Sequence, residues 1–429
     1  MEASIKIKYQ QWETLGLIFL AYGGTMLCRT AIGALSPAMA EDPEIMLTAS
    51  QLGEILAWGA VGSIVGKIFS GIVADIIGGR RALFACVFTV ALSTMAFSLP
   101  SSVFFFSLIH FVLRISQTIG WPAAGLLINQ WFPKQHYGKA WGITATSSRV
   151  HTAVAAVLLG VLVAAFGWRS SFVIVGSFYL VASFILLYLI ESSPTKVGLK
   201  DLSDGVEHKS LSETLKGIFK WLIILKKDLC FVYISLTMMM LYVLYDFLGY
   251  APLYLNQATG LSAADAATAS AFFPLGAFFS LVIFGYLYDK LKFGNVRVLV
   301  IGCLSLSTLC VGLLWSLSSF GLSTDATQNL SFFLIFMFGF TFAPAYWLPV
   351  NVYITGLGGY HIGFTLGLVD VFGYISSAIF NVVAGRLAES SWDSYLLFVM
   401  AFCVFSTAFL FMFFREMKKR IGHTPVSQA

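Results

Sequence analysis

Charge is what this sequence has least of. Of its 429 residues only 11% are Asp, Glu, Lys or Arg, 58% are hydrophobic, and the mean hydropathy is +0.84. A water-soluble domain carries about a quarter charged residues. With less than half of that share, most of the surface cannot face water, which excludes an ordinary soluble enzyme. No block of Lys and Arg interleaved with aromatics occurs, so the net charge of +5 leaves no footprint for nucleic acid. No glycine-rich ATP-binding loop is present, which argues against any process driven directly by ATP. The six cysteines (Cys28, Cys86, Cys230, Cys303, Cys310 and Cys403) lie in apolar stretches, with no Cys-x-x-Cys pair and no histidine at zinc spacing. They read as small core residues, so no metal, disulfide, cofactor or catalytic group is expected.

What the chain does have is long apolar runs, with 40 Phe and 38 Gly, as suits helices packed on one another and on lipid. A membrane span needs about 20 mostly apolar residues. Twelve windows qualify: 14–38, 51–74, 82–99, 102–130, 140–165, 170–190, 229–256, 265–288, 297–318, 330–355, 361–387 and 394–414. The first resembles a signal peptide, with Lys6 and Lys8 before it and Ala38-Met39-Ala40 after it. It is too long for that and carries Arg29, so it reads as an uncleaved span. The one long polar stretch, Glu191 to Asp228, carries Lys196, Lys200, Lys209, Lys216, Lys220, Lys226 and Lys227. It divides the chain into a six-helix bundle (1–190), a linker (191–228) with an amphipathic helix around Leu211–Leu225, and a second six-helix bundle (229–429). The expected fold is an all-α membrane protein with twelve transmembrane helices in two pseudo-symmetric bundles.

Orientation follows from the bias of Lys and Arg toward the cytoplasmic side. With both termini cytoplasmic, 20 of the 26 fall inside, including Arg80, Arg81, Lys134, Lys139, the linker lysines, Lys290, Lys292, Arg297, Arg415, Lys418, Lys419 and Arg420. The opposite loops hold Glu41, Asp42, Glu44 and Asp325.

An internal repeat supports two related halves. Gly71-Ile-Val-Ala-Asp75-Ile-Ile-Gly78-Gly79-Arg80-Arg81 follows the second span. Gly285-Tyr-Leu-Tyr-Asp289-Lys-Leu-Lys-Phe-Gly294, then Arg297, follows the eighth, and the two Asp lie 214 positions apart. Gly167-Trp168-Arg169 after span five has a weaker echo in Ser391-Trp392-Asp393 after span eleven.

These strings resemble the major facilitator superfamily. The Gly-x-x-x-Asp-x-x-Gly-x-Arg-Arg loop is similar to its signature between spans two and three, and Arg114-Ile-Ser-Gln117-Thr-Ile-Gly120 is similar to its Arg-x-x-Gln-x-x-Gly motif. The resemblance covers nearly the whole chain and implies a carrier. Asp75, Arg80, Arg81 and Asp289 are then expected to form a conformational latch, a carboxylate at a helix end that pairs with cations in one state and releases them in another.

A narrower resemblance is to the organophosphate–phosphate antiporter branch. Ala21-Tyr22 with Cys28-Arg29, Lys67 before Gly71, Gly120-Trp121-Pro122 with Asn129-Gln130-Trp131-Phe132, Ser193-Pro194 with Gly198-Leu199, and Ala251-Pro252 with Tyr254-Leu255 carry it. Two positions depart. Leu244 stands where that branch has a second Arg on span seven, with Asp246 nearby. Ser148 replaces its span-five His, with Arg149 and His151 adjacent. A phosphate held between two arginines is therefore not expected.

An ionisable group inside the hydrocarbon costs roughly 2.5–3.5 kcal/mol, so those present face a watery cavity. In the first half they are Arg29, Lys67, Arg114 and Arg149; in the second, Asp246 and Asp370. The cavity is thus expected to be basic on one side and acidic on the other. Arg29 shares a face with Tyr22, and with Lys67 is expected to grip an anionic group, the alternative being a structural Arg bonded to backbone carbonyls. Arg114 and Gln117 share a face of span four and suit substrate binding, proton transfer or a helix–helix staple. His151 reads as a packed, hydrogen-bonded residue. Tyr242, Tyr245, Asp246 and Gly249 share a face of span seven, and Asp370, Tyr374 and Asn381 one of span eleven. Asp246 and Asp370 are candidates to load and unload protons in a low-dielectric site. Trp347 and Asn351 stand one turn apart, Trp347 between Pro344 and Pro349 and Asn351 just after Pro349, where freed carbonyls permit bending. Gly62-x-x-x-Gly66 and Gly363-x-x-x-Gly367 fit close helix crossings.

Together these residues point to alternating-access transport of a small organic anion or zwitterion, coupled to protons. The alternatives are organophosphate–phosphate antiport and a non-transporting membrane receptor of the same fold. A monomer in a bacterial inner membrane is expected, with the bilayer, the substrate, and protons or phosphate as its partners.

Overall fold

Breaks in the backbone, more than changes in hydropathy, decide where these helices begin and end. The computed structural model describes residues 2–197, 220–288, 290–291, 293–356 and 362–423, and no strand occurs among them. Its α-helices are α1 (Glu2–Glu41), α2 (Ala49–Ile77), α3 (Gly79–Ala96), α4 (Val103–Thr118), α5 (Gly120–Trp131) and α6 (Tyr137–Leu189). After the linker come α7 (Leu229–Thr259), α8 (Ala263–Ala269), α9 (Phe272–Tyr288), α10 (Phe293–Ser316), α11 (Thr324–Gly356), α12 (Ile362–Ser390) and α13 (Trp392–His423).

Among the described residues, eleven helical segments are long and apolar enough to cross a bilayer. One of them, α6, has 53 residues, or about 80 Å at 1.5 Å per residue, far beyond a hydrocarbon core of about 30 Å. It is interrupted at Gly167 (φ 75°, ψ 170°), a conformation open essentially to glycine alone, and so forms two crossings, making twelve. Gly78 (φ 79°, ψ 153°) does the same between α2 and α3, letting one helix follow the other with no loop. Span four is a pair, α4 and α5, and span eight is a pair, α8 and α9. The cause is proline: Pro122 and Pro274 lack the N–H that would bond to the carbonyls of Thr118 and Ser270. Side chains set other starts. Thr48 and Gln51 form a reciprocal capping box on α2, and Ser262 caps α8 through the Asp265 N–H at 3.1 Å. Within the linker, residues 220–227 are helical; the rest of the expected amphipathic helix, 211–219, lies outside the described residues.

Two compact units result, residues 1–206 with 248–275, and residues 207–247 with 276–429. In the first, α2 and α4 cross through small residues. A Cβ on Gly62 would come within contact of the Phe111 carbonyl, and one on Gly66 would meet Thr118 Oγ1 and, at 2.8 Å, the Ile115 carbonyl. In the second, Gly276 of α9 packs in the same way against the Phe336 carbonyl of α11. Gly276 lies 214 positions after Gly62, the offset that separates Asp75 from Asp289, so the repeat extends to a packing contact. The expected close crossing at Gly363 and Gly367 is not seen: among the described residues nothing lies within 4 Å of a Cβ at either. Gly62→Leu is expected to cost about 3 kcal/mol through overpacking, whereas Gly16→Leu, where nothing lies within 4 Å, is near neutral. Thermal unfolding of the two variants in the same detergent checks this.

Both ends of the first unit are tied by polar bonds. At one end Arg169 donates to the carbonyls of Ser98 (2.8 Å) and Pro100 (3.4 Å), to Ser101 Oγ (3.3 Å) and to Glu44 (3.2 Å), while Trp168 Nε1 donates to Asp42 (2.7 Å). The Trp168 N–H, then the Glu44 backbone N–H, hold the Asp42 carboxyl below the usual carboxylate range. Trp168 and Arg169 follow the Gly167 break directly, so the broken helix presents them to two connections at once, α1–α2 and α3–α4. At the other end Arg80 closes the last turn of α6, bonding the Leu187 carbonyl (3.0 and 2.5 Å) and Glu191 (3.1 Å).

Candidate functional site

Polar side chains on α1, α2 and α4 gather inside the first unit. His110, Arg114 and Gln117 recur at helical spacing on α4, all at most 6% exposed. Across from them α2 presents Ile55, Gly59 and Ser63. His110 Nδ1 donates to the Ile55 carbonyl (2.8 Å), in a space that exists because residue 59 is glycine. Arg114 Nε donates to Ser63 Oγ (2.8 Å), and Gln117 Nε2 meets Met26 Sδ (3.2 Å) on α1. Arg114 thus sits where a staple between α4 and α2 would sit, within electrostatic reach of His110, as is Arg29. Arg29 and Lys67 are half-buried on α1 and α2. Tyr22, one face with Arg29, packs on Trp121 (5.2 Å between centroids), and Trp121 on Trp141 (4.7 Å), joining α1, α5 and α6. His151 is half-buried, its Nδ1 bonded to the Ser147 carbonyl of its own helix (3.0 Å) and its ring beside Phe19.

In the second unit α7, α11 and α12 bring acid and phenol together. Tyr242 donates to Asp370 Oδ1 (2.5 Å) across from α7 to α12. Gly373 makes this approach possible, since a Cβ there would overlap the Tyr242 ring. One turn along α7, Asp246 accepts from Ser377 Oγ and from Asn381 Nδ2 (2.8 Å), both on α12. Tyr245 stacks on Tyr346 of α11 (5.6 Å, 18°). Trp347 is half-buried beside it, and Asn351 lies one turn further along α11. The structure therefore sets Tyr242 and Asp246 of α7 against Asp370, Ser377 and Asn381 of α12.

Of the latch residues, Arg80 is engaged with Leu187 and Glu191, while Asp75 and Arg81 are exposed at the ends of α2 and α3. Asp289 lies outside the described residues. Sequence reasoning passed over His110, Tyr346 and Ser377. A signal existed for each: His110 is one turn before Arg114, Ser377 one turn before Asn381, and Tyr346 precedes Trp347 in a proline-flanked segment.

Comparison with known proteins agrees with this architecture. The Major Facilitator Superfamily model matches residues 18–381. The "Probable sulfoacetate transporter SauU" of Cupriavidus necator is 25% identical, covering 94% of this chain and 92% of its own. The "Membrane sensor protein UhpC" of Salmonella typhimurium is 24% identical over 73% of this chain and 72% of its own. A "Probable hexose phosphate transport protein" of Chlamydia trachomatis is 23% identical over 95% and 92%. Among solved structures, a bacterial homolog of the human lysosomal transporter Spinster, crystallised inward-facing and unoccupied, has a TM-score of 0.73 at 16% identity, covering 96% of this chain and 98% of that one. With a family model spanning most of its length, twelve apolar crossings and the repeated loop motif, this multi-pass membrane protein belongs to the Major Facilitator Superfamily.

Proposed function

We propose that the chain is a secondary active transporter that carries a small organic anion or zwitterion by alternating access, in symport with protons. Arg29 and Lys67 of the first unit take the anionic group, with Tyr22 beside Arg29, and Arg114 and Gln117 hold α4 against α2 and α1. Asp246 and Asp370 of the second unit carry the proton, and Tyr242, Tyr245, Trp347 and Asn351 are the substrate-contacting candidates of that unit. The supporting observation is the bonding of the two acids. Asp246 sits midway along α7 and Asp370 about two turns into α12, and each accepts from hydroxyl or amide donors, Tyr242 on Asp370, and Ser377 and Asn381 on Asp246. Such a shell accommodates the neutral and the ionised acid, as a proton carrier requires. The latch reading of Asp75, Arg80, Arg81 and Asp289 goes with this cycle. The Lys and Arg distribution supports cytoplasmic termini, and the bacterial relatives support a bacterial inner membrane.

The relatives keep two other readings in play: the hexose phosphate carrier favours organophosphate–phosphate antiport, and the sensor protein a receptor. One experiment separates all three. Purified protein in vesicles with an alkaline interior is expected to accumulate an organic anion such as sulfoacetate, and to lose the accumulation when a protonophore is added. Uptake that instead needs internal phosphate supports antiport and overturns symport. A thermal shift with the anion but no flux in either format supports the receptor.

A further inference from the structure

We infer that the aromatic wall faced by Tyr245 and Tyr346 and backed by the buried Phe342 binds the body of the substrate, and that it selects an anion whose body is a ring. The inference rests on the organic-anion reading above and names what lies beyond the charged group. Five rings from three helices form a continuous surface. Tyr245 and Tyr346 are offset-stacked at 5.6 Å and 18°. Phe342 lies 5.3 Å from Tyr346 and 6.5 Å from Tyr245, at 29° to the latter. Tyr242 leans on Tyr346 at 5.5 Å and meets Tyr374 edge-on at 5.0 Å.

The wall has a buried back and a partly open front. Tyr242 and Phe342 are buried, while Tyr245, Tyr346 and Tyr374 keep part of their surface accessible midway along their helices. That front does not face lipid. Asp246 and Asp370 are half-buried on the same faces of α7 and α12, and carboxylates are costly against hydrocarbon. The accessible ring surface therefore belongs, in this inference, to the polar side of these helices.

The geometry also selects the ligand. An aromatic cage for an alkylated ammonium needs rings set apart around a gap, each face toward the cation. Here neighbouring rings touch, so there is no gap between them, and the arrangement is a wall. A wall of ring faces and edges favours a flat partner, with rings in offset or edge-on contact, and gains little from a short open chain. Two chemistries present such a face, an aromatic ring through its π surface and a saturated ring through its C–H bonds.

Three monoanions of equal carbon number test this: benzoate, cyclohexanecarboxylate and heptanoate, with affinity read by titration of purified protein. The expected result is that at least one ring-bearing anion binds about tenfold more tightly than heptanoate. A preference for benzoate assigns the π surface, one for cyclohexanecarboxylate the C–H face. Tyr346→Leu is expected to weaken the preferred ring-bearing anion by more than it weakens heptanoate, so that the preference is lost, and Tyr346→Phe to retain it. Equal binding of all three, or an equal loss for all three in Tyr346→Leu, overturns the inference while leaving the organic-anion reading standing. If none of the three binds and sulfoacetate and phosphate esters also fail, the parent reading falls and this one with it.

Discussion

Arg29→Ala is expected to abolish measurable binding of the organic anion while the protein still inserts and folds. Arg29 is half-buried on α1, on the face that carries Tyr22, and it lies within electrostatic reach of the buried His110. A guanidinium presents a planar fork of donors that matches a carboxylate, sulfonate or phosphate, and each hydrogen bond to a charged group is worth about 1.5–3 kcal/mol. Losing two such bonds weakens binding by about 3 kcal/mol or more, roughly a hundredfold. Titration of wild type and variant checks it, with circular dichroism as the control for folding. Arg29→Lys is expected to recover only part of the loss, because an ammonium keeps the charge without the fork. Unchanged affinity in Arg29→Ala would remove Arg29 from the site and leave it the structural Arg that its position also allows.

The second large effect is on coupling. Asp246→Asn is expected to end uphill uptake and to spare exchange of substrate across the membrane. Asparagine keeps the size of Asp246 and can still bond Ser377 and Asn381, so the contact between α7 and α12 survives. It cannot gain or lose a proton. For one proton per cycle, a pH gradient of one unit supports about tenfold accumulation. Wild-type vesicles should approach that figure and the variant should show none, while radiolabelled counterflow stays close to wild type. Normal accumulation in Asp246→Asn would sink its coupling role. The same measurement on Asp370→Asn then decides whether Asp370, held by Tyr242, is the proton carrier instead.

Which parts of this were legible beforehand follows from the physics of each. Spans were legible because most residues of a span must be apolar, so the signal is summed over about 20 positions. The clustering of Tyr242, Tyr245 and Asp246 was legible because a helix places residues three and four apart on one face. That face meeting Asp370 was not. It depends on Gly373, whose missing side chain lets the Tyr242 ring reach α12, and nothing in the spacing of Gly373 marks it as a contact. Arg80 makes the same point. The motif marked it as a cation beside Asp75, whereas in the folded chain it closes α6 at Leu187 and bonds Glu191, about a hundred residues away in sequence. The glycine pairs diverge for a similar reason: Gly62 and Gly66 meet α4, while Gly363 and Gly367, at the same spacing, meet nothing among the described residues.

By itself, then, the sequence determined the solvent of this protein, the number of its crossings, their division into two related halves and the residue types available for chemistry. These are properties of composition and local periodicity, which need no knowledge of neighbours. Only the tertiary structure decided which polar groups are partners: His110 with Ile55, Arg114 with Ser63, Tyr242 with Asp370, and Tyr346 with the wall. Within a helix the 3.6-residue period fixes direction, but the choice of partner between helices depends on close packing, where one absent Cβ determines which side chains can touch.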